Sequence, residues 1–226
     1  MSWSAPCSSC QASMSGFGEA PETPRCLACL DAETNRQRGR RSREDVLRAA
    51  GCRSEALLRE PFEVERYPGG RWPTDLRTPS TRRVDLPTWA EGGEGTLVIM
   101  GSVGLGKTFL GTELLYRAWK AEPSRSVCWC RAVDLIRELR QRNFGPIVRA
   151  RRSAALLVDD IHLVPSWGVD TIYDLVDDRA PRPVLTVVTT NLDWSGLARW
   201  SPPVADRLAV GLGVSVGRGE SMRIPA

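Results

Sequence analysis

The stretch Gly101-Ser102-Val103-Gly104-Leu105-Gly106-Lys107-Thr108 has the residue types and spacing of a phosphate-binding loop, G-x-x-x-x-G-K-[ST]. Gly101 and Gly106 free the backbone to turn its amides inward around a phosphate chain. The helix expected to start near Lys107 adds its positive N-terminal end. Lys107 is placed to reach β- and γ-phosphates, and the Thr108 hydroxyl to ligate Mg²⁺. The expected ligand of Gly101, Ser102, Val103, Gly104, Leu105, Gly106, Lys107 and Thr108 is therefore ATP with Mg²⁺. The chain has only two lysines, Lys107 and Lys120, against 29 arginines. Keeping Lys at this position points to a need for a compact ammonium.

Further along, Asp159 and Asp160 follow the apolar run Ala154-Ala155-Leu156-Leu157-Val158. A carboxylate at the end of such a strand is positioned to hold Mg²⁺, which assigns Asp159. Asp160 stands where a carboxylate polarises the attacking water, or alternatively caps the next turn. Its side chain is one methylene shorter than Glu, which favours slow hydrolysis. Asn191 ends the next apolar strand, Val184-Leu185-Thr186-Val187-Val188-Thr189, and suits a polar group touching the γ-phosphate or that water. His162, the single histidine, is read as structural.

The cysteines form a second constellation. Cys7-x-x-Cys10 and Cys26-x-x-Cys29 are separated by 15 residues, a four-thiolate zinc spacing. They lie in a Ser-, Pro- and Gly-rich segment too poor in aliphatics to build its own core, where a metal would do the organising. Disulfides are disfavoured if the compartment is reducing, and redox chemistry needs only one such pair. Cys52 stands apart, and Cys128 and Cys130, flanking Trp129, read as packing residues.

These groups need elements to hold them. Thr96-Leu97-Val98-Ile99-Met100 reads as a buried parallel strand entering the loop. Phe109, Leu110, Leu114, Leu115, Ala118 and Trp119 follow at helical spacing. Val127–Cys130 is a strand, Val133–Leu139 a helix, and Ile172, Leu175 and Val176 mark another. Strands alternating with helices imply an α/β fold, a parallel sheet flanked by helices, with ligands at the strands' carboxyl ends. Ser42 caps a short helix that Gly51 ends. Arg36, Arg38, Arg40, Arg41 and Arg43 form a basic run, a solvated helix start or a phosphate-contacting patch. From Pro61 to Gly95 the chain is Pro- and Gly-rich and reads as a connector with little regular structure. The expected domains are a zinc module at 1–35, a helical segment and connector at 36–89, and an ATPase domain at 90–226.

From about residue 42 onward the chain resembles the AAA+ helicase-loader family (DnaC-like), whose cousins are the IstB-like transposition ATPases. Leu156-Leu157-Val158-Asp159-Asp160-Ile161 resembles its Walker B segment. Ile172–Arg179 resembles the helix that ends in a paired Asp-Arg. Thr189-Thr190-Asn191-Leu192 resembles the sensor-one strand. Asp206-Arg207-Leu208 resembles the segment with the arginine finger, which assigns Arg207, with Arg199 as competitor. Gly219-Glu220-Ser221-Met222-Arg223 resembles the C-terminal motif whose Arg, here Arg223, acts as sensor two. Leu47–Gly51 and Phe62-Glu63 are similar to the lead-in. Leu105 and Phe109 stand where the family has Thr and His, and Met222 where it has Tyr. Only a short stretch follows sensor two in this sequence, so a large lid domain is not expected.

The resemblance implies an ATPase that loads a hexameric replicative helicase onto single-stranded DNA, or else an IstB-like helper of a transposase on duplex DNA. It implies homo-oligomers in which Arg207 reaches a neighbour's ATP. The zinc module would dock the partner. Phe144, Arg149, Arg151 and Arg152 form a basic, aromatic loop able to track a single strand. A small-molecule kinase needs an Arg-rich lid, and a zinc-ribbon regulator would have no use for an intact ATP site. Hydrophobic content of 42%, charged content of 26% and a net charge of +4 in 226 residues fit an ordinary globular protein with no global field for nucleic acid. No apolar run reaches membrane-spanning length and no signal peptide is visible, so the expected location is cytoplasmic.

Overall fold

A computed structural model describes residues 2–17, 21, 25–60 and 85–216. The chain divides into two units, Met1–Arg41 and Ser42–Ala226. In the first, strands β1 (Ser2–Pro6) and β2 (Ser13–Phe17) pair antiparallel, with Pro6 opposite Ser13. Helix α1 (Leu27–Gly39) follows.

The second unit is built on a five-stranded sheet. Its strands are β3 (Gly95–Met100), β4 (Val127–Arg131), β5 (Ala155–Asp159), β6 (Leu185–Thr190) and β7 (Leu212–Ser215). They run parallel in the order β4-β5-β6-β3-β7. Alternation sorts their side chains into two cores, because successive residues point to opposite faces. Leu97, Ile99, Leu157, Leu185 and Val187 pack on one face. Val98, Met100, Leu156, Val158 and Val188 pack on the other. Burial of both faces explains the almost continuous apolar runs.

The first face is covered by α2 (Arg43–Ala50), α3 (Glu55–Arg59), α4 (Leu86–Gly92) and α5 (Lys107–Ala121). The second is covered by α6 (Ala132–Arg140), α7 (Gly145–Arg152), α8 (Val169–Arg179), α9 (Trp194–Trp200) and α10 (Pro202–Ala209). Helix α2 has the expected ends. Ser42 and Asp45 form a capping box, and Gly51 closes the helix at φ 112°. Leu47, Ala50, Leu57 and Leu58 of α2 and α3 join the core of the second unit.

Two expectations change. Leu86–Gly92 is helical, although the Pro61–Gly95 stretch reads as a connector; residues 61–84, with Phe62, Glu63 and Trp72, lie outside the described residues. The segment holding Arg149, Arg151 and Arg152 is helix α7 rather than a loop, started by Pro146 in its first turn. The basic run also divides. Arg40 and Arg41 are exposed, whereas the Arg43 guanidinium bonds Glu113 at 2.5 Å and lies 5.0 Å from the Tyr116 ring centre.

Arg179, at the end of α8, is 2% exposed. It donates to the Ala150, Ser153 and Leu185 carbonyls at 2.7–2.8 Å and to Thr186 Oγ1 at 2.9 Å. Burial pulls the guanidinium down to about 10, leaving it charged at neutral pH. It satisfies the last carbonyls of α7 and ties that helix to β6. Arg179→Ala is therefore expected to cost about 3–5 kcal/mol by stranding these acceptors. The thermal midpoint should fall by roughly 10 °C. Arg179→Lys should recover only part of this, since an ammonium lacks the planar fork. Calorimetry of the two variants is the check, and an unchanged midpoint in Arg179→Ala would refute the stapling role. Among the described residues, no helix is long and apolar enough to cross a membrane.

Candidate nucleotide site and four-cysteine centre

Parallel register brings the strands' carboxyl ends level. Met100 pairs with Thr190 and Arg131 with Asp159, so Gly101, Asn191 and Asp159 emerge on one edge. The loop after β3 turns as the glycines require. Gly101 has φ 145° and a Cβ there would meet the Val216 carbonyl at 2.7 Å; Gly106 has φ 76° at the start of α5. Lys107 is 5% exposed and its ammonium donates to the Ser102 carbonyl at 2.7 Å. Ser102 and Val103 are exposed and Gly104 half-buried. Leu105 packs in the core and Phe109 against it, which accounts for apolar residues at two positions where the resembled family is polar.

Asp159 is 4% exposed. Its Oδ1 accepts from Thr108 Oγ1 at 2.9 Å and from Thr189 Oγ1 at 2.6 Å. Thr189 Oγ1 in turn accepts from the Asp160 backbone N–H at 2.9 Å. Burial pushes the Asp159 carboxyl up, with the Thr189 bond opposing it, the Asp160 charge adding to it and the Thr108 bond opposing again. A buried carboxylate raised by desolvation beside a phosphate loop is suited to a cation. Thr108 spends its proton on Asp159 and keeps its oxygen lone pairs for a metal, so the pair fits Mg²⁺.

Asp160 adopts a left-handed backbone, φ 56° and ψ 52°, rare for residues other than Gly, Asn and Asp. The turn carries the chain into a short 3-10 stretch, Ile161–Leu163. There His162 meets Asn191. The Asn191 backbone N–H donates to His162 Nδ1 at 3.3 Å, and the Asn191 side-chain Nδ2 is placed 2.8 Å from Nε2. Neither Thr189 nor His162 is identifiable as a site residue from sequence: the first contacts Asp159 from the neighbouring strand, and the second reaches Asn191 after the backbone turn at Asp160.

Arg207 stands on α10, away from this chain of contacts. Its Nε pairs with Asp177 Oδ1 of α8 at 2.5 Å, and both side chains are 43% exposed. The Tyr173 hydroxyl and then Asp177 hold it charged. Arg199 is exposed and bonds Ser195 at 3.0 Å. Arg223 and the Gly219–Arg223 motif lie outside the described residues. On α7, Phe144 at its cap is 59% exposed. Arg149 and Arg152 are exposed too, while Arg151 is half-buried.

In the first unit, the β1–β2 turn and the start of α1 bring Cys7, Cys10, Cys26 and Cys29 together. Their Sγ atoms all lie within 4.8 Å of one another. Tetrahedral thiolates around Zn²⁺, at about 2.3 Å each, would stand roughly 3.8 Å apart, so the donor set fits the ion. The Cys26 N–H donates to Cys7 Sγ at 3.3 Å. That bond and those from the Cys10 and Ser9 backbone draw Cys7 down to about 6. Bonds with the Cys10 and Cys26 side chains push Cys29 up to about 12. Cys128 is buried and Cys130 half-buried within the sheet, which supports packing roles.

No protein-family model matches the sequence. The chromosomal replication initiator protein DnaA of Pelobacter propionicus is 29% identical over 131 residues, covering 47% of this chain and 29% of that protein. A replication initiator DnaA bound to AMPPCP and single-stranded DNA superposes with a TM-score of 0.52 and 17% identity, covering 61% of this chain and 46% of the other. DnaI superposes with a TM-score of 0.51 and 20% identity, covering 73% of this chain and 94% of the other. The chain thus spans less than half the length of the initiators it matches. The second unit shares the α/β fold of these two structures, with the five-stranded parallel sheet described above.

Proposed function

We propose that the chain is an ATP-driven loader that places a hexameric replicative helicase on single-stranded DNA. The observation that carries the ATPase part is the continuous contact Thr108–Asp159–Thr189–Asp160 at the mouth of the phosphate loop. The loop amides and Lys107 bind the phosphate chain of ATP. Asp160 accepts the proton of the attacking water, and Asn191 orients that water or a γ-phosphate oxygen. Mg²⁺, held by Thr108 and Asp159, would neutralise charge on the phosphates. Arg207 completes the site of a neighbouring copy, and Arg223 serves as sensor two. The loader part is supported by the four-cysteine unit, suited to docking because it carries no phosphate chemistry, and by the likeness to DnaI. Phe144, Arg149 and Arg152 on α7 offer a stacking and phosphate-contacting face for the strand.

The test uses full-length protein. It should capture the replicative helicase of its host and prefer single-stranded over duplex DNA when ATP is present. Lys107→Ala should weaken ATP binding about a hundredfold by removing a charge-assisted contact, as read by titration with a fluorescent analogue. Protein that ignores the helicase and assembles on duplex DNA would transfer the reading to a transposition helper.

A further inference from the structure

His162 does not touch a loop residue in any contact described above, yet it grips Asn191 twice. The ring reaches both the backbone N–H and the side-chain amide of the same residue. This double contact constrains the protons. A neutral imidazole has one donor and one acceptor nitrogen. If Nδ1 carried the proton, it would face the Asn191 N–H, and two donors would oppose each other at 3.3 Å. If Nε2 carries it, Nδ1 accepts from the backbone and both contacts become bonds. The Asn191 Nδ2 placed against Nε2 would then oppose a donor, so the amide's oxygen and nitrogen exchange places and the oxygen faces Nε2, an assignment that the hydrogen-bond network decides. The remaining NH₂ points away from the ring.

From this geometry we infer that His162 is a positioning residue that fixes the Asn191 amide with its NH₂ turned outward, as a donor to an oxyanion at the carboxyl edge of the sheet. This rests on the ATPase reading above and specifies how the site distinguishes a phosphate oxygen from other ligands. A free asparagine presents oxygen and nitrogen equally; a latched one presents only a donor. A donor already aimed at the γ-phosphate costs no reorientation in the transition state. Burial holds the His162 ring below its ordinary range, against the Asp160 charge and with Lys107, so the ring stays neutral at pH 7.5.

The chain contains a single histidine, so its imidazole gives one unambiguous set of nitrogen resonances. Long-range ¹⁵N–¹H correlation spectra of the full chain at pH 7.5 should show the Nε2–H tautomer, with Nε2–H exchange accelerated in Asn191→Ala. An Nδ1–H tautomer, or exchange indifferent to Asn191→Ala, overturns the inference. The kinetic arm compares His162→Phe, which keeps the ring shape without its bonds, with His162→Gln, which restores one donor and one acceptor. His162→Phe should lower kcat about tenfold to a hundredfold with ATP affinity within about twofold, and His162→Gln should recover most of it. The double variant His162→Phe/Asn191→Ala should be no slower than Asn191→Ala alone, because the two act as a unit. A wild-type kcat in His162→Phe, or losses that multiply in the double variant, also overturns it. Absence of turnover in the unsubstituted protein would count against the ATPase reading instead, and the tautomer measurement would still decide the latch.

Discussion

Arg207→Ala is expected to lower ATP turnover by about a thousandfold or more, the effect of withdrawing an arginine from the charge that develops on a transferring phosphoryl group. Within one chain Arg207 belongs to a surface pair with Asp177, and both side chains are 43% exposed. A pair so exposed is screened and adds little to the fold. The two roles separate cleanly. If Arg207 only served Asp177, Asp177→Ala would reproduce the defect of Arg207→Ala. If Arg207 acts on a neighbour's ATP, Asp177→Ala should retain turnover within several-fold, and neither variant should change the melting temperature. Turnover per subunit of the unsubstituted protein should also rise with protein concentration, and Arg207→Ala should remove that rise. Steady-state assays across a concentration series provide the check. A rate independent of concentration and unchanged in Arg207→Ala would end the assignment.

The geometry of the loop after β3 is legible because its information is local. Eight consecutive residues set the glycine turns and the Lys107 contact. Asp159 was legible for a similar reason, as the first polar side chain after an apolar strand. The Asn191–His162 latch was not. It depends on Asp160 taking a left-handed backbone, which turns His162 back toward β6. No spacing rule places residues 162 and 191 together. Thr189 was hidden differently: inside an apolar strand it reads as a β-branched core residue, and only its two bonds reveal a link between Asp159 and Asp160.

The fold shows the same division. The strands β3, β5 and β6 are largely buried runs with cores on both faces, a pattern that sequence displays directly. Strand β7 has four residues including Gly213, and pairing with β3 rather than propensity makes it a strand. Helix α7 reads as a loop because its outward residues are charged. Its start signal, Pro146 in the first turn, was available, and its buried Ile147 and Ala150 supply the packing. In the first unit the hairpin lacks an alternating aliphatic pattern. Its strands read Ser2–Pro6 and Ser13–Phe17, and its turn meets the start of α1 at the cluster of four thiols.

That dependence leads to the second large effect. Stripping metal from the protein is expected to unfold the first unit entirely while leaving the second intact. Among the described side chains of the first unit only Cys7 is buried, while Leu27 is 79% exposed and Leu30 44%. A segment of this size without an apolar core needs a staple. Four separate thiols also make a poor one. Backbone bonds draw Cys7 down to about 6 while bonds with the Cys10 and Cys26 side chains push Cys29 up to about 12, so at neutral pH Cys29 keeps its proton and the cluster does not carry four charges. A divalent cation displaces those protons and converts every sulfur to a ligand; binding should therefore release protons and weaken as pH falls. Elemental analysis of protein purified under reducing, chelator-free conditions should give one zinc per chain. A strong chelator should release it, collapse the amide resonances of the first unit and leave the melting transition of the second unchanged. Cys26→Ser should do the same without chelator, because it removes one of the four thiol ligands. Restored zinc should refold the chelated protein but not the variant. Metal-free protein in which the first unit keeps its dispersed resonances would show that the hairpin and helix fold without an ion.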